Sequence, residues 1–484
     1  MERKCVTLAN LLSRFYSVER MVPKEQLRGE LPTNKEAYKN LMTIALPSVC
    51  EMVLMSLIGS IDTMMVSTLG TDAVAAVGLV GQPRMLMLCM FMALNIGVTA
   101  IVARRKGQGL QDEANRTLRN ALVMIIMLAA VLMTVGLSFS RQLMSFAGAN
   151  EDTLDMSNMY FRVLAWFLPV NALTMCINAA QRGTGNTKTT MYVNVTANLV
   201  NVVCNYVLIN GKLGFPKLGV AGAAYATAIG FCVGFVMAVW SLISGTRHGS
   251  FLQVSIHDSW KLHLDTVKAI LKTGGNAMIE QVFLRIGFFT YAKIVAGLGT
   301  DSFAAHQICM QFLNLSFTFA DGIGVAGTSL VGQMLGKKRP DLSVVYGKCS
   351  QRIAITTAFI LATFIIIFRA PLLSLFIHPE EYSNAQYVMD LAMKVMLVVA
   401  LFQPFQTSSV VFSGCLRGAG DTKYVARVMM ICVALVRPVA AITAVYLLKM
   451  DLVGAWMASL IDMILRMVLV ARRFGGGKWH DIKV

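Results

Sequence analysis

Long runs of apolar residues, separated by shorter polar stretches, run through almost the whole of this 484-residue chain. Most of these runs are near or above 20 residues, which is long enough to cross roughly 30 Å of hydrocarbon as an α-helix. The connections between them alternate between short ones and longer, basic ones. The pattern predicts an all-α polytopic membrane protein with twelve transmembrane helices, at 41–68, 73–103, 118–139, 157–180, 189–210, 219–244, 266–296, 302–334, 350–369, 384–413, 425–447 and 452–471.

Composition agrees with a membrane protein. Hydrophobic residues make up 56% of the chain and charged residues only 14%, whereas a soluble domain carries about a quarter charged residues. The ten cysteines are scattered without a CxxC pair, and most of them lie in apolar runs. This distribution is typical of small buried hydrophobes and indicates neither a disulfide framework nor a metal site. We therefore expect no cofactor.

The formal net charge of +17 is explained by topology. Five Lys and Arg residues lie between 104 and 119 and five between 337 and 352, whereas the connections on the other side hold isolated ones such as Arg141. Since basic residues concentrate in cytoplasmic loops, we expect both termini in the cytoplasm and no nucleic-acid partner. Residues 1–40 contain no apolar core and hence no cleavable signal peptide. They are expected either as a loose tail or as a short helix on the cytoplasmic surface.

Two stretches of the chain occur twice. QRGTGNTK at 181–188 returns as LRGAGDTK at 416–423, and LGTDAVAA at 69–76 returns as LGTDSFAA at 298–305. The duplication predicts two tandem lobes of six helices, which an even helix count orients identically, related by a pseudo-twofold along the membrane normal. Such parallel repeats are a transporter architecture, with the substrate path between the halves. The predicted segments are an N-terminal tail (1–40), an N-lobe (41–245), a cytoplasmic linker (246–263), a C-lobe (264–474) and a C-terminal tail (475–484).

On this duplicated plan, the chain resembles the bacterial type of multidrug and toxic compound extrusion (MATE) transporter. The resemblance rests on ALPSVCEMVLMSLIGSIDTMMVSTLGTDAVAAVGL, QRGTGNTKTT, LGVAGAAYATAIG, EQVFLRIGFFTYAKIVAGLGTDSFAAHQI and CLRGAGDTK, in that order. It implies V-shaped lobes, alternating access, and export of organic cations and drugs in exchange for Na⁺ or H⁺. It also leads us to expect a monomer in the plasma (inner) membrane, with a small-molecule substrate and membrane lipids as its partners.

Asp62 lies inside the otherwise apolar first predicted helix. A carboxylate in hydrocarbon is costly unless it faces the bundle interior, so by default it marks an ion or proton path; the alternative is a carboxylate that only hydrogen-bonds a neighbouring helix. The resemblance implies that Asp62, followed by Thr63, is the coupling carboxylate of the N-lobe. It also matches Pro47 with a proline at which the family bends this helix; a proline removes a backbone hydrogen bond and permits a kink.

Four asparagines share one face of the fifth predicted helix because they are spaced 4, 3 and 4 residues apart: Asn194, Asn198, Asn201 and Asn205. Such a face lines a wet cavity or hydrogen-bonds another helix. The resemblance places Asn201 and Asn205 at the cation, together with Thr227 of the next helix. Many family members carry an aspartate where Asn205 stands, so one carboxylate remains here. Asp62 with Asn201 then suits either one Na⁺ or one proton.

Seven further polar residues within the predicted spans, together with Met55, are candidates for the substrate cavity: Glu51, Met55, Asn198, Glu280, Gln281, Gln307, Gln311 and Gln406. Glu51 is equally consistent with a second protonation stop, a cavity residue or an interhelical hydrogen bond. Glu280 either holds a cationic substrate or forms a salt bridge with Arg285 or another base. Some relatives bind Na⁺ in the C-lobe, but their acidic positions correspond here to Leu284 and Gln406, so a C-lobe site of that kind is not expected.

Two other functions compete with drug export. A flippase for lipids or lipid-linked oligosaccharides would share the fold, but the intramembrane charges here are of mixed sign. An enzyme is not expected, because HExxH, GxSxG and P-loop patterns are absent from the sequence. The repeated RGxG stretch lacks the P-loop spacing as well. We interpret it as a structural hinge whose Arg182, Lys188, Arg417 and Lys423 lie near anionic headgroups.

Overall fold

The computed structural model describes residues 8–212, 214–244, 250–255, 258–377 and 384–482. Within these ranges the regular structure is helical and no strand occurs. The predicted linker at 246–263 and the two predicted tails each contain residues outside the described ranges.

Fifteen helices, α1 to α15, follow one another in the described ranges, and two of them are short. In order they are Leu8–Tyr16, Asn34–Ser67, Thr71–Gln108, Gln111–Ser138, Ser140–Phe146, Glu151–Trp166, Leu168–Gly183, Thr187–Asn210, Val220–Ile243, Leu264–Ala296, Thr300–Gly336, Pro340–Ser374, Ala385–Gly418, Thr422–Leu447 and Leu452–Gly475. Single 3₁₀ turns at Val18–Arg20 and Lys24–Gln26 join α1 to α2.

Each of the twelve predicted spans corresponds to one long helix, except the fourth, which corresponds to the pair α6 and α7. In the described part of the chain, ten helices are long and apolar enough to cross a membrane, and the bent pair adds an eleventh span. The remaining predicted span is α10, whose 33 residues include Glu280, Arg285 and Lys293. The predicted all-α membrane fold is confirmed.

Prolines account for the irregular helices. The axis turns by 51° between α6 and α7, where Pro169 lies at the start of α7. Pro438 lies in α14 between two π-helical turns, Cys432–Val436 and Thr443–Leu447. Because proline has no backbone N–H and its ring clashes with the preceding turn, a regular hydrogen-bond ladder cannot pass through either position.

The described residues form two compact units. The first comprises Met1–Val49 with Ile279–Lys483, and the second comprises Cys50–Met278. Both α2 and α10 therefore contribute residues to both units. The two break points, after Val49 and after Met278, are 229 residues apart, which is also the offset between LGTDAVAA and LGTDSFAA. The two break points therefore fall at equivalent positions of the two halves of the sequence.

The described part of the N-terminal segment packs on α12 within the first unit. After α1, the side chains of Val18, Met21 and Val22 are buried. Lys348 of α12 donates to the Met21 carbonyl at 2.6 Å, and Arg352 donates to the Ser17 carbonyl at 3.3 Å. Apolar burial and paired backbone groups hold this segment in place. Its described part therefore consists of the short helix α1 and a packed connection to α2, and it is not a loose tail.

Candidate functional site

Asp62 is hydrogen-bonded within the second unit. The Asn205 side-chain amide of α8 donates to its Oδ1 atom. Asn205 is fully buried, whereas Asp62 is half-buried. The Oδ1 atom of Asn205 has no hydrogen-bond partner in the described part of the chain. A buried carbonyl oxygen without a donor is costly, so it favours a cation or a proton donor beside the Asp62 carboxylate.

Asn201 and Thr227 form a second polar contact one helical turn from Asn205. Asn201 is buried, and its amide donates to Thr227 Oγ1 of α9 at 3.2 Å. Thr227 in turn donates to the Ala223 carbonyl at 3.0 Å. The oxygen atoms of Asp62, Asn201, Asn205 and Thr227 belong to types that bind hard monovalent cations, because each offers a full or partial negative charge. Thr63 is exposed and donates to the Gly59 carbonyl at 3.0 Å.

Arg84 of α3 also acts on Asp62. Its positive charge interacts with the carboxylate of Asp62, and its guanidinium lies 5.6 Å from the centre of the Phe231 ring. Arg84 is not among the residues that the sequence predicts for the site. A signal was available, because Arg84 follows Pro83 in the middle of an apolar run, and an intramembrane arginine is a functional candidate by default.

Glu51 is buried in a separate cluster of the second unit. Its carboxylate accepts from Thr190 at 2.9 Å and Asn194 at 2.6 Å, both on α8, and pairs with Arg182 of α7 at 3.4 Å. Asn194 also accepts from Asn178 at 3.0 Å. With these partners, the arrangement favours the interhelical hydrogen-bond interpretation of Glu51.

Glu280 occupies the corresponding position in the first unit. It is buried in α10 and pairs with Arg417 at the end of α13, where Arg417 Nε donates to Glu280 Oε2 at 3.4 Å. The charge of Asp321 on α11 also interacts with Arg417. Arg417 is therefore the basic residue that pairs with Glu280. Arg285, the other partner predicted from the sequence, is exposed.

The repeated stretch accounts for both ion pairs. Arg182 and Arg417 are equivalent residues of QRGTGNTK and LRGAGDTK, and each reaches a buried glutamate on another helix. The sequence predicts these arginines near headgroups. In the structure they pair with glutamates instead, because a buried carboxylate is costly without a cationic partner, whereas a guanidinium at the surface is stabilised by solvent. Lys188 and Lys423, the lysines of the two copies, are exposed.

The glycines of the stretch have two functions. A Cβ atom on Gly183 would lie 2.7 Å from the Thr99 carbonyl oxygen of α3, so this glycine permits close helix packing. Gly185 and Gly420 have φ angles of 77° and 90°, which L-residues with side chains rarely adopt. The first glycine thus serves packing and the second the turn.

We expect Gly183→Ala to destabilise the protein by about 1–3 kcal/mol, because the added methyl group overpacks the contact between α7 and α3. The measurement is the apparent Tm of purified protein. Gly78→Ala is the matched control, because nothing lies within 4 Å of a Cβ atom at Gly78. Equal Tm values for the two variants would contradict the packing role.

The remaining predicted cavity residues differ in their surroundings. Met55, Gln307 and Gln311 are exposed, and Gln281 is half-buried. Asn198 donates to the Asn194 carbonyl at 2.8 Å. Gln406 is buried, and neither of its amide atoms has a hydrogen-bond partner in the described residues. Pro47 is buried within α2, two residues before the break point between the units.

Known proteins similar to this chain are membrane transporters. A probable multidrug resistance protein NorM of Thermotoga maritima is 28% identical over 470 residues, covering 96% of this chain and 97% of that protein. The multidrug resistance protein MdtK of Yersinia pestis is 26% identical over 387 residues, covering 80% and 82%. An outward-facing structure of a multidrug resistance MATE family transporter shares the fold, with a TM-score of 0.84, 21% identity, and coverage of 91% of this chain and 97% of that chain.

The family assignment agrees with the residues that the resemblance singled out. The MatE family model matches residues 47–207 and 277–443, one segment in each half of the chain. These segments include Pro47, Asp62 and the asparagines of α8, as well as Glu280 and Arg417. This multi-pass membrane chain therefore belongs to the MatE family of transporters.

Proposed function

We propose that this protein exports organic, mainly cationic, drugs or toxic compounds in exchange for H⁺ or Na⁺, with Asp62 as the coupling carboxylate. The observation that carries the proposal is the placement of Asp62 in a membrane helix against the buried Asn205. An intramembrane carboxylate with polar partners from another helix is the usual form of an ion or proton path. The names of the NorM and MdtK relatives support multidrug export as the activity.

The coupling site is built from one carboxylate and several amide and hydroxyl oxygens. Asp62 binds the incoming H⁺ or Na⁺. Asn205, whose amide donates to Asp62, also offers its Oδ1 atom, which has no hydrogen-bond partner in the described residues. Asn201 and Thr227 complete the polar surface of α8 and α9. This set therefore favours a single cation or proton at a time.

Binding of that ion is coupled to a change in α2. Pro47 leaves the helix without one backbone hydrogen bond, so the segment that carries Asp62 bends there at low cost. The change lowers the affinity for the drug, which leaves to the outside, and the lobes then alternate to face the cytoplasm. The drug and the ion thereby act as ligands of different conformations, which is the thermodynamic requirement for exchange.

The cationic substrate needs accessible negative charge. Glu280 is neutralised by Arg417, which makes it a weak candidate for binding the drug directly. Asp321 of α11 is exposed, so its carboxylate in the first unit is the better candidate for binding a cationic drug.

In this proposal the protein lies in the plasma membrane with both termini in the cytoplasm, because the basic connections follow the positive-inside rule.

We expect export of ethidium from proteoliposomes to depend on an imposed ion gradient. Purified full-length protein is reconstituted, and efflux is recorded by fluorescence under a pH gradient alone, a Na⁺ gradient alone, or neither. The effective gradient identifies the coupling ion, because only an ion bound differently by the two conformations drives transport. Protein-free liposomes and an ionophore that collapses the gradient are the controls. Efflux at the same rate with and without either gradient would contradict coupled antiport.

A further inference from the structure

A small cavity lies inside the first unit, between α10, α11, α14 and α15. Its volume is about 170 Å³, and the residues that matter here are Phe288, Tyr291, His306, Gln307, Arg437 and Trp456. Gln307 is exposed, so the cavity reaches the surface of its unit. Only Gln307 among these residues takes part in the site described above.

The charges beside the cavity do not balance. Arg437 and Arg466 both pair with Asp462 Oδ2, at 2.7 and 2.8 Å. All three side chains are buried, and Asp462 is the one carboxylate that either arginine pairs with in the described ranges. Two guanidinium groups against one carboxylate leave one positive charge without a counter-charge. A buried unpaired charge is costly, so the cluster favours an additional anion.

An indole N–H and a histidine nitrogen beside the cavity also lack hydrogen-bond partners in the described residues. The indole Nε1–H of Trp456 has no partner in the described part of the chain, although Trp456 is only 2% exposed. The Nδ1 atom of His306, which is 4% exposed, has none either. The indole N–H can only donate. An anion in the cavity would satisfy it, whereas a cation would not.

Aromatic rings and the size of the cavity narrow the class of ligand. Arg437 lies 4.8 Å from the ring centre of Phe288 and 5.9 Å from that of Tyr291. His306 packs against Trp456 with ring centres 5.5 Å apart. A cavity of about 150 Å³ lined by apolar side chains holds one benzene molecule, whereas drug-sized ligands need about 300 Å³ or more. One aromatic ring with one carboxylate is the ligand that fits.

We propose that this cavity binds a small aromatic carboxylate, with Arg437 and the Trp456 indole N–H as its donors and Phe288 and Tyr291 against its ring. The site prefers anions and lies in the first unit, whereas Asp62 lies in the second unit. Benzoate binding and cation-coupled export can therefore be measured separately. The protein therefore has a binding site for organic anions in addition to the export of cations proposed above.

Benzoate binding to purified full-length protein tests the proposal. Equilibrium dialysis with radiolabelled benzoate is expected to give saturable binding with one site per chain, and benzoate is expected to raise the apparent Tm. Benzamide, which is neutral, and benzylamine, which is cationic, have a similar size and are expected to compete at least about tenfold more weakly, since a charge-assisted hydrogen bond accounts for that factor or more.

Two variants and one control complete the experiment. Arg437→Gln removes the charge beside the cavity while Asp462 keeps Arg466, and benzoate binding is expected to be lost. Trp456→Phe keeps a ring and removes the N–H, and binding is expected to weaken about tenfold. Arg427→Gln makes the same change at an exposed arginine of α14 and is expected to bind benzoate like the wild type.

The proposal fails if wild-type protein shows no saturable benzoate binding, or if benzamide and benzylamine compete as well as benzoate itself. It also fails if Arg437→Gln and Trp456→Phe bind benzoate with wild-type affinity. Should Arg437→Gln not fold, Trp456→Phe and the charge selectivity of the wild type decide the question. Transport of ethidium is a separate readout, so a failure here is distinguishable from a failure of cation-coupled export.

Discussion

Asp62→Asn is expected to reduce gradient-driven ethidium export to the level of protein-free liposomes while leaving the protein folded. An asparagine at this position is nearly isosteric, and its side-chain oxygen can still accept from Asn205. It cannot take up a proton, and its partial charge binds Na⁺ far more weakly than a carboxylate does. Since Asp62 is the one carboxylate among the five predicted coupling residues, no neighbour on α8 or α9 replaces its charge.

Two comparisons make this result specific. Asp72→Asn makes the same change ten residues further along, at an exposed aspartate in the first turn of α3, and is expected to export normally. Asp62→Glu keeps the carboxylate and is expected to retain part of the coupled transport. Both need a monodisperse elution profile and an apparent Tm close to that of the wild type. Wild-type export by Asp62→Asn, still driven by the same gradient, would remove Asp62 from the mechanism.

Arg417→Ala is expected to cause the largest loss of stability. It leaves the buried Glu280 carboxylate without the guanidinium that it pairs with. Removing one partner of a buried ion pair costs about 3–5 kcal/mol. The lower end, about 3 kcal/mol, applies here, because 22% of the Arg417 side chain is exposed and solvent weakens the pair. The apparent Tm of purified protein, with and without added lipid, measures the effect.

The equivalent pair in the second unit is the natural comparison. Arg182→Ala is expected to cost less, because Glu51 keeps hydrogen bonds from Thr190 and Asn194. In the first unit, Arg417 is the one described residue whose side chain hydrogen-bonds Glu280. Adding Glu280→Gln to Arg417→Ala removes the unpaired charge and should restore much of the lost stability. A Tm for Arg417→Ala equal to that of Arg182→Ala, or no rescue by the second substitution, would contradict this account.

The sequence by itself determined the membrane fold. Backbone groups in hydrocarbon must be paired within the chain, so a run of about 20 apolar residues has few alternatives to a helix. For this reason the positions of the twelve spans could be predicted, with ends that differ from the helix ends by up to ten residues. Asp62 could be identified in the same way, because a carboxylate inside an apolar run is conspicuous in one dimension.

Several features were decided by tertiary structure. The partners of Glu51 and Glu280 lie 131 and 137 residues away along the chain, and no local pattern connects them. Arg182 and Arg417 were assigned to the membrane surface because they occur in polar, glycine-rich connections. In the structure, Arg182 instead pairs with the buried Glu51 carboxylate at 3.4 Å. The break points after Val49 and Met278 likewise lie inside continuous helices, so no polar connection in the sequence marks them.

The repeated stretch shows which properties the sequence determines and which ones the tertiary structure decides. Its recurrence in sequence established that the chain is duplicated, since two similar polar octapeptides at equivalent positions need a common origin. What the octapeptide does is a property of three-dimensional packing. Each copy places an arginine on a glutamate of another helix, and the free energy of that contact comes from burying the carboxylate, which depends on neighbours that the local sequence does not specify.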